Sequence, residues 1–165
     1  MSDDFRERAL LWPKGNVWED FDEGRIFKHR LGRTISDSDN TLFTVLTLHY
    51  NPLYLDAAAC AAAGHGGRVV NPLLVFNIVF GLSVEALSEG GGPFLGVDEL
   101  AYHVPVYVGD TLYARSTVLG RRLSASNKDY AIATWRTEGR NQDGARVIAF
   151  TRTNLVRRRP EQDEL

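Results

Sequence analysis

Cysteine is almost missing from this chain: Cys60 is the only one in 165 residues. No internal disulfide can form, which excludes a small scaffold held by cross-links. Cys60 sits in an alanine-rich stretch, 57 to 63, where a small packed residue is a better reading than a nucleophile. A surplus of one charge is also lacking. The formal net charge is −2, so nothing marks the chain as a binder of nucleic acid or anionic membrane. The one basic run, Arg157 to Arg159, reads as a solvated end, with a docking site for a phosphate-bearing ligand as the weaker reading. There is no unbroken long apolar run. The stretch from 71 to 87 is interrupted by Asn77, Ser83 and Glu85, which argues against a membrane span. Met1-Ser2-Asp3-Asp4 has neither the basic nor the apolar part of a secretion signal, and the expected compartment is the cytoplasm. No glycine-rich phosphate loop is present, since Gly90 to Gly92 follows a helix instead of opening one. His29, His49, His65 and His103 are too scattered for a metal-ligand spacing, so no metal is expected.

Hydrophobic residues make up 44% of the chain, enough for one packed core. The reading is an arm over 1–15, one domain over 16–158 and a polar tail over 159–165. A short strand fits Arg25 to His29. Ser36, followed by Asp37, Ser38 and Asp39, is a strong helix start, with Leu42, Phe43, Val45 and Leu46 as the apolar stripe of the helix. Asn51-Pro52 breaks that helix, and a second short one fits Asp56 to Ala63. Asn71-Pro72 opens a third, because asparagine caps well and proline suits a first turn whose N–H would be unpaired. This helix is apolar on nearly every side, from Leu73 to Leu87, and burial all round is expected. After Pro93 the period changes to two, with strands over Thr111–Leu119, Tyr130–Thr137 and Val147–Val156 and a hairpin turn at Asp143-Gly144. Helices first and a meander of strands afterwards give an α+β fold, an antiparallel sheet with a long helix against it.

Polar and titratable residues gather beside the start of that helix: His49, Tyr50, Asn51, Tyr54, Asp56, His65 and Asn71. A helix N-terminus offers unpaired N–H groups and a partial positive charge to an oxygen that gains negative charge. Histidine and tyrosine can exchange protons there. Plainer readings stand beside this one: His49, near a proline turn, as a structural hydrogen-bond partner, Asp56 as a helix cap, Tyr50 and Tyr54 as interior aromatics, and His29 and His103 as structural strand residues.

Several pieces, taken in order, resemble a known family. They are Ser36-Asp37-Ser38-Asp39, Phe43, Asn51-Pro52-Leu53, Asp56, Ala59, Gly67-Arg68, the helix from Asn71, Pro105-Val106 and Gly109-Asp110-Thr111-Leu112. From about Asp20 to Arg158 the chain is similar to the MaoC-like dehydratases, the (R)-specific enoyl-CoA hydratase group of the hot-dog fold. Ser38-Asp39-Asn40, Val70-Asn71 and Gly109 to Tyr113 resemble the mesaconyl-CoA hydratase (β-methylmalyl-CoA dehydratase) branch most. The resemblance implies a sheet wrapped around the long central helix and a homodimer. It also implies a thioester substrate on coenzyme A or an acyl carrier protein, with no other cofactor, and water added or removed across the α,β bond. The family's aspartate and histidine positions fall on His49 and Tyr54, and its oxyanion glycine falls on Pro72, which has no N–H. The expected site is therefore His49 and Tyr54 as an acid/base pair. Leu73 and Leu74 N–H groups would hold the carbonyl, with Asn51, Asn71 and His65 around the substrate. Two further readings are related enoyl-thioester chemistry (another nucleophile at the β-carbon, or hydrolysis) and a non-catalytic acyl-binding or partner subunit.

Overall fold

The computed structural model describes residues 14–159. The expected arm over 1–15 and tail over 159–165 fall almost wholly outside them. After a short 3-10 turn at Trp18–Asp20, the elements are β1 (Ile26–Lys28), β2 (Arg33–Thr34), α1 (Asp37–Leu46), α2 (Pro52–Leu55), α3 (Ala57–Ala62), α4 (Pro72–Leu82), α5 (Val84–Leu87), β3 (Phe94–Tyr102), β4 (Thr111–Leu123), β5 (Tyr130–Arg140) and β6 (Arg146–Arg157). The strands pair antiparallel in the order β1-β4-β5-β6-β3, with β2 also on β4. This is the expected hot-dog arrangement: the sheet curls around α4. No helix among the described residues is long and apolar enough to cross a membrane.

The strands show the alternation read from sequence. On β5, Ala131, Ala133, Trp135 and Thr137 are buried while their neighbours are partly exposed. Val75 and Val79 of α4 pack with Leu112, Ile148 and Phe150 of the sheet. Burying each such side chain is worth about 1.5–3 kcal/mol. The closest approach is at Gly139, where a Cβ would come within 2.6 Å of Val79 and 2.7 Å of Ile148. Glycine there lets the helix lie directly on β5.

Three expectations need correction. First, α4 is not buried all round: Leu73 is 41% exposed, and Asn77 and Gly81 are exposed with it. These positions are four apart and form one stripe, on the side of α4 away from the sheet. Second, α4 stops at Leu82. The Ser83 hydroxyl donates to Phe80 O at 2.6 Å, and the short helix α5 follows. Third, most of the expected stripe of α1 faces out: Leu42, Val45 and Leu46 are 61%, 43% and 72% exposed, Phe43 packs against the core, and the buried positions are Asn40 and Thr44. The cause is polar. The inner side of α1 serves backbone groups of other segments, so amide and hydroxyl side chains face in.

The start of α1 matches the sequence reading. Ser36 Oγ accepts from Asp39 N at 3.1 Å and Asp39 Oδ2 accepts from Ser36 N at 2.8 Å, a reciprocal cap. The Ser36 hydrogen bonds hold the Asp39 carboxyl below its usual range. At the other terminus the basic run is tethered rather than free. Arg158 donates to Lys128 O, and Arg159 N donates to Glu19 Oε2 at 2.9 Å.

Candidate active site

Asn71 is fully buried and organises the head of α4. Its N–H donates to Asn40 Oδ1 at 2.8 Å, and Asn40 Nδ2 donates to Tyr54 O at 3.0 Å and Val69 O at 3.2 Å. Asn71 Nδ2 donates to Thr44 Oγ1 at 3.2 Å and faces His49 Nδ1 at 3.3 Å. Asn71 Oδ1 accepts from Leu73 N at 3.0 Å, and Asn71 O accepts from Leu74 N at 2.9 Å. The two N–H groups expected to hold a carbonyl oxygen are therefore both engaged within the cap.

His49 reaches this point through a strained turn. Leu48 has φ 58°, a left-handed conformation that usually falls to glycine at a helix end. Leu48 N donates to Val45 O and His49 N to Thr44 O, which closes α1 and swings His49 back toward Asn71. With Asn71 donating to Nδ1, the proton of a neutral His49 ring lies on Nε2, so the free side of the ring is a donor.

Tyr54 belongs to a different space. Asn51 caps α2 through Leu53 N at 3.0 Å, and Asp56 caps α3 through Ala58 N and Ala59 N, so both are occupied structurally. Cys60 is buried and its thiol donates to Leu53 O, in keeping with a packed residue. Tyr54 lines a cavity of about 290 Å³ together with His65, Tyr102 and His103. Its apolar wall includes Val70, Pro72, Val75 and Val106. His49 is not among the lining residues. His65 Nδ1 lies 3.2 Å from Tyr107 Oη, which fixes the ring at the cavity rim. Tyr102 Oη donates to Pro72 O at 2.8 Å. Burial, and then Tyr54 beside it, push the Tyr102 phenol above its usual range, so it stays protonated at neutral pH. No carboxylate, lysine or arginine lines this cavity among the described residues.

The structure thus groups Tyr54 and His65, holds His49 against Asn71, and keeps Asn51 in a cap. Sequence reading missed Tyr102 and took His103 for a structural strand residue. β3 ends at Tyr102, so His103 lies just past it and turns to the cavity. The available signal was Tyr102-His103 two residues before Pro105-Val106, a piece of the family resemblance. A second, more open hollow of about 800 Å³ lies near the other end of α4, lined by Lys28, His29, Glu85 and Glu89 among others. Among the described residues no three His, Cys, Asp or Glu side chains are grouped to hold a metal.

Comparison with known proteins gives this geometry its family. The family model described as mesaconyl-CoA hydratase matches residues 3–164. Mesaconyl-CoA hydratase of Haloarcula hispanica is 37% identical over 158 residues, covering 95% of this chain and 44% of that protein. The (R)-specific enoyl-CoA hydratase of Aeromonas caviae is 31% identical, covering 73% of this chain and 86% of that protein. Among solved structures, a Mycobacterium tuberculosis protein with a double hot-dog fold superposes with a TM-score of 0.82 at 26% identity, over 92% of this chain and 47% of that one. The chain spans less than half the length of the mesaconyl-CoA hydratases it matches. With 33–37% identity to three such proteins and a family model that covers almost its whole length, the chain belongs to the mesaconyl-CoA hydratase family.

Proposed function

We propose that this chain is a hot-dog subunit of an acyl-CoA hydratase/dehydratase, which adds or removes water across the α,β bond of a short acyl thioester. The observation that carries this reading is the cavity at the head of α4, with the Tyr54 and Tyr102 phenols and the imidazoles of His65 and His103 on an otherwise apolar wall. About 290 Å³ is at the small end of ligand pockets, which suits an acyl group of few carbons. Tyr54 supplies or takes the proton at the α-carbon. His49 acts through Asn71, by keeping the helix cap in place. The names of the relatives support coenzyme A as the carrier.

A second hot-dog domain completes the unit. Phe94, Leu95 and Leu100 on the edge strand β3 are 53%, 51% and 39% exposed, and the Leu73 stripe of α4 is open beside the sheet. For this chain alone the second domain is another copy, and light scattering should give twice the chain mass. The test of the reaction incubates the protein with enoyl-CoA and 3-hydroxyacyl-CoA substrates of four to six carbons and follows mass. Gain or loss of water supports the reading; free acid points to hydrolysis.

One observation favours a second reading, an acyl-binding partner of a catalytic subunit. Both Leu73 N and Leu74 N are engaged by Asn71, so the cap offers neither to a thioester oxygen. That reading predicts thioester binding with no change of mass until a second hot-dog subunit is added.

A further inference from the structure

We propose that Tyr102 is the residue that recognises the 3-hydroxyl of a hydrated acyl thioester, as a fixed hydrogen-bond acceptor in the cavity. The inference rests on the acyl-thioester reading above and adds a specificity-determining residue to it. A tyrosine hydroxyl has one proton and two lone pairs. Tyr102 gives its proton to Pro72 O at 2.8 Å, and so can only accept from a second partner. That direction is set by the backbone. Pro72 is the first residue of α4, and its carbonyl has a lone pair to spare beyond the helical bond. The same position that lacks an N–H for a thioester oxygen thus supplies the anchor for a phenol.

The other polar groups on the wall are His65, His103 and Tyr54, and the His103 imidazole has no hydrogen-bond partner among the described residues. His65 Nδ1 is paired with Tyr107 Oη. The Tyr54 hydroxyl has no protein hydrogen-bond partner among the described residues, and its proton is available to a ligand. One phenol is therefore free to donate and the other only to accept. A 3-hydroxyl matches this arrangement: its proton goes to Tyr102 Oη, and its oxygen is left to accept from Tyr54. In hydration the held oxygen is that of water. It forms the C3–O bond while one water O–H breaks and passes its proton to Tyr54 Oη, as Tyr54 gives its own proton to C2, which consumes the double bond and leaves Tyr54 protonated against the new 3-hydroxyl. Partial burial raises the Tyr102 phenol further above neutral pH, consistent with a positioning group rather than a base.

Two unreactive ligands separate this role from a structural one: S-butyl-coenzyme A and S-(3-hydroxybutyl)-coenzyme A, thioethers that can be neither hydrated nor dehydrated. Calorimetric titration of the wild-type protein should show the hydroxylated ligand, in one enantiomer, bound about fivefold more tightly, as expected for one neutral hydrogen bond. Tyr102→Phe should bind S-butyl-coenzyme A within about twofold of wild type and lose the preference for the hydroxylated ligand. A melting temperature and circular dichroism spectrum like those of wild type establish that the variant is folded. A preference that survives in Tyr102→Phe overturns the inference. So does a wild-type protein that binds both ligands equally, or a variant that loses both to the same extent. Failure of wild type to bind either ligand overturns the acyl-CoA reading itself, and the inference with it.

Discussion

The two ends of α4 solve the same problem, polar groups inside a small core, in different ways. At the head, Asn40, Thr44 and Asn71 are neutral and spend nearly every donor and acceptor on backbone groups and on one another. At the tail, a cation is buried. Arg152 is fully buried, donates to Ser83 Oγ at 2.8 Å, Ser88 Oγ at 2.6 Å and Asn154 Oδ1 at 3.0 Å, and lies over the Phe80 ring at 4.1 Å. No carboxylate pairs with it among the described residues. Burial pushes its guanidinium down to about 10, which still leaves it charged at neutral pH. The head leaves two phenols facing an open cavity; the tail consumes its polar groups in fastening α4 and α5 to β6. Chemistry is expected at the first end and anchoring at the second.

Each end of α4 can be perturbed separately. The largest effect should come from Asn40→Ala, which leaves the Asn71 N–H and the carbonyls of Tyr54 and Val69 without partners. At about 1–3 kcal/mol for each buried group left unpaired, denaturant titration should show a loss of about 3–5 kcal/mol. Next is Arg152→Ala, which removes three hydrogen bonds and the ring contact and should cost about 2–4 kcal/mol by the same measurement. Arg152→Met should be milder by about 1 kcal/mol or more, because it fills the space and removes a buried charge that no carboxylate compensates.

A third effect appears only as pH is lowered and concerns His29, whose Nε2 lies 2.9 Å from Ser116 Oγ. Burial, and then the charge of Arg152, lower its pKa from 6.5 to about 4, with Glu85 opposing. The folded protein therefore refuses a proton that the unfolded chain accepts. Stability on this account is complete above about pH 6.5, falls as pH drops toward 4, and levels off below it. Between pH 8 and pH 4 the melting temperature of wild type should fall relative to that of His29→Gln, with the flatter profile in the variant.

Much of the fold could be read from local chemistry. The Ser36–Asp39 cap, the Asn71-Pro72 helix start and the alternating strands each depend on residues a few positions apart. What escaped depends on distant backbone. Asn40 and Thr44 face inward because of partners 14 to 31 residues away, so of the hydrophobic stripe drawn on α1 Phe43 reaches the core while Leu42, Val45 and Leu46 face out. Tyr102 acquires its meaning from a carbonyl 30 residues earlier, and Arg152 from two serines 64 and 69 residues earlier. The candidate site was half legible for the same reason. The polar cluster before Asn71 was visible, but which of its members share a cavity depends on how β3 returns past α4.

The central claim is that proton exchange belongs to the Tyr54 cavity and not to His49. It is tested most directly by the hydration rate of a four- or five-carbon enoyl-CoA in three proteins: wild type, Tyr54→Phe and His49→Gln. The expected fall in kcat is about 10²-fold or more for Tyr54→Phe, the usual loss of a general acid or base, and less than about tenfold for His49→Gln. A Tyr54→Phe variant that keeps the wild-type rate while His49→Gln loses it would contradict the account.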